Sequence, residues 1–460
     1  MSKLKRFIST SAIYFVGNIM SKMVAFILLP LYTKYIIPEQ YGEYDLVLTL
    51  INLIAPIAFF QIWDGMFRFS FDSEESNDKY KVINNAILVF TLGIALYFIF
   101  FFCIYNFYEF QYSWSAITYG FLFAVQYIVS FAARIFLKNA LFVFSGLLNT
   151  LIAAVTNIVL IVIFDWDVES LYVAASCGCC VQILLIEFNL HLFSNFKVKD
   201  LDKQVCLQML RFSIPLCIAT ISYWLLSGFT KISVTNSLGV SDNGQYAVAN
   251  RFASMITVFV NVFQFAWNEI AYLMANDKNR TEKYTESIIL LFKTVIMGSA
   301  IVCILIKFVF PYFIDGQYSK SFYLIPISIL GVAFNAIAGF LGTFFMTEKK
   351  TNYILYTTLI VALLNCIICA LFIDKIGLLG VVSVLTGAFA LLMVMRLILL
   401  KTKFGVDVHV KSFFYIFFFL IALIVYYSHL SAIIDVVFII ATMITYIYSI
   451  RKYLLLIKNH

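Results

Sequence analysis

Charge is what this sequence has least of. Charged side chains make up 12% of it and hydrophobic ones 63%, where a soluble domain carries roughly 25% charged residues. Half that complement cannot clothe a water-exposed surface, so lipid must be the solvent for much of the chain. The apolar runs lack period-2 alternation and approach helix length, which argues against a transmembrane β-barrel. No G-x-x-x-x-G-K-[ST], H-E-x-x-H or G-x-S-x-G segment occurs, which argues against ATP hydrolysis and against the enzyme classes those motifs mark. Histidine is sparse, and His191, His409, His429 and His460 are scattered near span ends, where an interfacial role is the default. Extramembranous sequence is short throughout. The longest outer connection, 309–323, holds one acid, Asp315, too little for a glycan active site. Cysteine is absent from the short outer loops. Cys177, Cys179 and Cys180 share one span, Cys366 and Cys369 another. A disulfide framework is therefore not expected. With no second ligand cluster, no metal is called for and the thiols read as small packing groups.

What is there is a series of apolar stretches. Spans are expected at 11–33, 45–67, 84–106, 115–137, 141–164, 171–193, 213–236, 247–274, 286–308, 324–347, 353–373, 376–399, 412–428 and 431–450. Each can cover a hydrocarbon core of about 30 Å at helical rise, the thirteenth barely. The first runs too long for a signal peptide and lacks a small-x-small cleavage site, so it is read as retained. The expectation is an all-α polytopic membrane protein of about fourteen helices.

Lysine and arginine give the orientation. With the N-terminus cytoplasmic, 24 of the 32 basic residues fall on the cytoplasmic side, Arg68, Arg134, Lys138, Arg211 and Arg396 among them. Lys34, Lys307, Lys320 and Lys375 fall opposite; Lys22, Lys231, Arg251 and Lys293 lie within spans. Both termini are thus expected in the cytoplasm. The net charge of +7 faces an anionic leaflet and needs no nucleic acid to explain it.

A repeat runs through the chain. YGEYDL (41–46) matches NGQYAV (243–248), and Phe60-Gln61-Ile62-Trp63-Asp64 matches the segment Phe263 to Glu269. The spacing equals six spans, an even number, so the copies share one orientation. This predicts two six-helix bundles in parallel repeat, 1–205 and 206–400, with two peripheral helices in 401–460, and transport by rocking around a central cavity.

Ionisable groups inside spans are costly and so mark candidate sites. Lys22 sits about 16 Å from either end of its span, beyond easy snorkelling. It requires a wet cavity, an acidic partner or an anionic ligand. Asp64 and Arg68 stand at i and i+4 and can pair; they and the counterpart Glu269 are candidates for an inner gate or ion pathway. Lys231, Arg251, Asp45, Lys293 and Glu187 lie nearer span ends. The deeper charges are cations, which suits an anionic head group better than a cationic drug. Trp63, Trp224 and Trp267 are candidates for stacking on sugars. Pro30, Pro56, Pro215 and Pro326 should kink spans or mark their ends. Asn18, Asn157, Asn335 and Asn365 are mid-span amides, helix glue or cavity lining.

LPLYTKYIIPEQYGEYDLVLTL (29–50), RFSIP (211–215), SYW (222–224), LGVSDNGQYAVANRF (238–252) and FQFAWNE (263–269) together resemble the Wzx-type polysaccharide biosynthesis flippases of the multidrug/oligosaccharidyl-lipid/polysaccharide exporter superfamily. The resemblance implies a MATE-like V of two bundles around a cationic cavity. It implies a non-enzymatic transporter in the cytoplasmic (inner) membrane that moves an undecaprenyl-diphosphate-linked oligosaccharide outward for O-antigen, capsule or exopolysaccharide. The polysaccharide polymerase machinery would be a further partner. Carried over by position, Lys22, Lys231 and Arg251 would bind substrate. Relatives often carry Asp-Arg after the tryptophan of span seven; here Thr230-Lys231 stands instead, which puts an ion-coupling role there in doubt. The alternatives are an ion-coupled multidrug antiporter of the same fold, a lipid II flippase as a close variant, and a membrane glycan polymerase.

Overall fold

A computed structural model describes residues 20–71, 75–106, 111–273, 280–348, 350, 352–406, 414–428 and 432–458. Among them every regular element is helical, as hydrocarbon requires: a helix satisfies its backbone groups within itself. The chain forms two compact units, Met1–Trp224 and Leu225–His460. The first holds α1 (20–27), α2 (Leu29–Tyr35), α3 (Pro38–Ala58), α4 (Ile62–Phe69), α5 (Ser76–Tyr105), α6 (Ser113–Ile135), α7 (Asn139–Ile158) and α8 (Glu169–Leu190). The boundary between units falls inside α9 (Lys203–Ser237). The second unit continues with α10 (Val240–Leu273), α11 (Arg280–Phe313), α12 (Ser319–Thr347), α13 (Asn352–Phe404), α14 (Tyr415–Tyr427) and α15 (Ala432–Lys458).

Eight helices among the described residues are long and apolar enough to cross a membrane, or nine if the bent pair α3–α4 counts as one span. About fourteen crossings were expected. Two features account for part of the difference, and residues 11–19 of the first expected span lie outside the described residues. The 53 residues of α13 join two expected spans across Gly377, whose φ of 63° and ψ of −173° are not helical; only glycine takes up such a backbone readily. At 13 residues, α14 is short of the ~20 needed to span.

The two copies of the sequence repeat begin alike and end differently. Tyr41 and Asn243 are each the fourth residue of their helices, α3 and α10, and both are buried. The second copy is helical throughout α10. The first breaks: Phe60 and Gln61 are both left-handed, with φ of 53° and 48°. The Gln61 amide donates to the Pro56 carbonyl at 2.8 Å and that of Phe60 to Ile57 at 3.2 Å. This is the Schellman pattern that ends a helix, and α4 leaves at 53° to α3. Two consecutive non-glycine residues in this region are strained. Contacts from α9 hold them: Thr220 Oγ1 donates to Gln61 Oε1 at 2.9 Å, and the Gly65 amide donates to Ser213 Oγ at 3.1 Å. A Cβ on Gly65 would lie 2.6 Å from that oxygen.

Elsewhere amides do the joining. In unit 1, Asn84 and Asn85 at the start of α5 donate to the side chain and the carbonyl of Asp200, at 3.0 and 2.8 Å. In unit 2, Asn365 donates to Thr230 Oγ1 and the Leu226 carbonyl, both at 3.0 Å. Two cations assigned above to the membrane faces are interior instead. Arg396 is buried and donates to the Ala338 carbonyl and to Thr357 and Thr358. Lys307 meets the buried Asp435. Helix–helix packing supplies acceptors that a charge tally cannot anticipate.

Candidate functional site

The broken helix carries the most consequential cluster of unit 1. In α4, directly after the break, Asp64 Oδ2 accepts from Gln61 Nε2 at 2.7 Å. Arg68 is exposed, and the cation whose charge reaches Asp64 is Arg134, on α6. Beyond the bend, α4 packs against α6. Beside Asp64, the buried Trp63 packs on Tyr127 of α6, ring centroids 5.2 Å apart.

Arg134 itself stands among aromatic faces. Its guanidinium carbon is 4.7 Å from the Phe67 ring centre, 5.0 Å from Phe131 and 5.9 Å from Phe142. These rings come from α4, α6 and α7. Their negative faces attract the cation. Among the described residues the guanidinium makes no hydrogen bond and no ion pair.

Arg134 lines a cavity of about 390 Å³ together with Tyr127, Gln126, Asn149, Thr150 and Gln182. The polar groups form one network. Gln182 Oε1 accepts from Gln126 Nε2 at 2.5 Å and from Asn149 Nδ2 at 2.8 Å. Gln182 Nε2 donates to Ser130 Oγ at 3.1 Å. Cys179, one of the clustered thiols, donates to Gln126 Oε1 at 3.3 Å. Each amide fixes the next, so the cavity wall is set before any ligand arrives.

Of the predicted site residues, Lys22 is half-buried on α1. It does not line the cavity, but its neighbour Ser21 accepts from Thr150, which does, at 3.1 Å. Among the described residues Lys22 has no hydrogen bond or ion pair. Lys231 and Arg251 are half-buried in unit 2. The side chain of Glu269 lies outside the described residues, as does that of Trp267. Trp224 donates to the Thr49 carbonyl at 2.8 Å. Asn157 donates to the Tyr32 hydroxyl at 3.0 Å, and Lys293 lies 5.1 Å over the Tyr415 ring. Asn18 lies outside the described residues.

Arg134 was missed, because it counts as one more basic residue near a span end. Its spacing held a signal: Tyr127, Phe131 and Arg134 fall at i, i+4 and i+7, one face of a helix.

A second polar cluster was missed too. Tyr112, the residue before α6, donates to Asp167 Oδ2 at 2.5 Å, and Gln40 donates to the same oxygen at 3.3 Å. Ser115 donates to Glu169 at 2.6 Å, and the Gln111 amide to Glu43 at 2.7 Å. The bond to Asp167, with burial and the surrounding acids behind it, pushes the Tyr112 phenol up to about 12.

The sequence profile described as "Polysaccharide biosynthesis protein" matches residues 8–267, more than half of the chain. The chain belongs to that family. No curated protein matches this family member. Its fold resembles the structure titled lipid II flippase MurJ, inward closed conformation, at TM-score 0.71 and 15% identity, covering 97% of this chain and 100% of that one. It also resembles a multidrug resistance MATE family transporter of the MOP superfamily in its outward-facing conformation, at TM-score 0.59 and 13% identity, covering 87% and 96%. The inward-facing form of such a transporter matches at TM-score 0.58 and 13% identity, covering 89% and 96%. The all-helical, MATE-like fold expected from the sequence is thus the fold of this polysaccharide biosynthesis protein.

Proposed function

We propose that this protein is a flippase that moves undecaprenyl-diphosphate-linked oligosaccharide repeat units across the cytoplasmic membrane for surface polysaccharide. The family match over residues 8–267 carries the reading, and the likeness to a lipid II flippase over nearly the whole chain supports it. Both termini would be cytoplasmic. Lys22, Lys231 and Arg251 would engage the diphosphate, since a pyrophosphate leaves water only with cationic partners. Asp64, Arg68 and Glu269 would belong to a gate or ion pathway. Broken spans favour this assignment for Asp64, because interrupted helices place polar groups at transport sites. The bundles would be 1–205 and 206–400, with 401–460 peripheral, and the full span count would be about fourteen.

The likeness to MATE transporters keeps one competitor, an ion-coupled multidrug antiporter. Complementation of a cell lacking its repeat-unit flippase separates the two. Wild type should restore surface polysaccharide, and Lys22→Ala at equal membrane abundance should not. Failure of wild type in its native glycan background overturns the flippase reading in favour of the antiporter.

A further inference from the structure

We propose that the Arg134 cavity is a binding site for one sugar unit bearing an oxyanion, a carboxylate or a phosphate; the sugar part of this assignment rests on the flippase reading. Three observations converge on that chemistry. The first is Arg134. Its three aromatic neighbours, at 4.7, 5.0 and 5.9 Å, hold the guanidinium in place, and among the described residues it makes no hydrogen bond or ion pair. A half-buried guanidinium with idle donors calls for a planar or multidentate oxyanion, which the fork binds through two parallel hydrogen bonds. Asp64 does not serve: no hydrogen bond or ion pair joins it to Arg134 among the described residues.

The second observation is the amide wall. Gln126, Asn149 and Gln182 bind one another, leaving lone pairs and N–H groups at fixed positions along the cavity. Asn149 is seated on the backbone of α8 at Gly178, where a Cβ would come within 2.3 Å of Asn149 Oδ1. Fixed amides suit hydroxyl groups, each both donor and acceptor. An apolar drug would leave these groups without partners on burial.

The third is the remaining wall. Phe123 and Tyr127 pack together at 4.9 Å, and both line the cavity. The two rings meet edge to face, 65° apart, so either one alone can present its apolar face to the C–H side of a pyranose ring. The volume, about 390 Å³, is at the small end of the roughly 300–1,000 Å³ of small-molecule sites. It suits a single substituted sugar.

The test uses the full-length protein in nanodiscs and titrates four probes by calorimetry: glucuronate, glucose 1-phosphate, glucose and inorganic phosphate. Glucuronate or glucose 1-phosphate should bind at least ~10-fold more tightly than glucose and than inorganic phosphate, and Arg134→Gln should remove that advantage. Arg134→Lys keeps the charge without the fork and should weaken the anionic sugars several-fold, which serves if Arg134→Gln does not fold. Asn149→Ala should weaken both sugar anions and leave inorganic phosphate unchanged. A preference for glucuronate assigns the site to an acidic sugar within the oligosaccharide, and a preference for glucose 1-phosphate to the sugar at the phosphate linkage. Equal binding of glucose and the anionic sugars overturns the proposal, as does inorganic phosphate binding as well as they do, or binding unchanged in both Arg134 variants. Complementation is read separately. If wild type complements but binds no probe selectively, this site falls and the flippase reading stands; selective binding without complementation has the opposite meaning.

Discussion

Lys307 Nζ lies 3.0 Å from Asp435 Oδ1, and the same ammonium donates to the carbonyls of Val425 and Ser428 at 2.9 and 3.2 Å. One cation from α11 thus closes the end of α14 and the start of α15. The Asp435 side chain is only 3% exposed. A buried pair that loses one member strands a charge, which costs about 3–5 kcal/mol. Asp435→Asn or Lys307→Met should therefore lower the unfolding temperature in detergent sharply. The double variant Lys307→Met/Asp435→Leu should recover most of the loss. If the single changes are silent, the pair does not fasten the last two helices.

The α4–α9 contact makes a steric prediction. Gly65→Ala sets a methyl 2.6 Å from Ser213 Oγ and 3.0 Å from the Met209 carbonyl, overpacking that should destabilise by about 1–3 kcal/mol. Adding Ser213→Ala should return part of it, since the backbone carbonyl remains. Gly298→Ala in α11 meets nothing within 4 Å and should be neutral or stabilise by about 0.5–1 kcal/mol through helix propensity. Thermal unfolding of the three variants checks the order.

Tyr112 predicts a pH response. Its phenol is pushed up to about 12 by the bond to Asp167, above an ordinary value near 10. The folded state therefore holds this proton more tightly than the unfolded state. The contribution is complete below about pH 10 and is lost as pH rises toward 12. Wild type should lose more stability than Tyr112→Phe between about pH 9 and pH 11. Parallel melting curves for the two would refute the coupling.

Asp64→Asn retains an oxygen acceptor for Gln61 Nε2 and removes the charge that faces Arg134. The variant should reach the membrane at wild-type abundance, with its unfolding temperature little changed. Surface polysaccharide in the complementation assay should fall on the order of tenfold if an intramembrane carboxylate serves transport. Full restoration would leave Asp64 as an anchor of the helix break and no more.

Much of this protein was legible without coordinates. Low charge and long apolar runs dictate membrane helices, because a helix satisfies its own backbone wherever the sequence excludes water. The motifs of 29–50 and 238–252 carry the family. Lys22 stands out because a cation deep in an apolar run has no local explanation. Other assignments depended on partners far along the chain. Arg134 reads as one more positive charge at a span end until Phe67 and Phe142, from two other helices, close on it. Lys307 and Asp435 are 128 residues apart, Asn365 and Thr230 135. Asp64 meets Gln61 where two left-handed residues turn its helix. Hydropathy and spacing act within a few turns of one helix and so determined what spans the membrane. Which buried polar group meets which was decided by packing between helices, where a 53° bend and a missing Cβ direct the side chains.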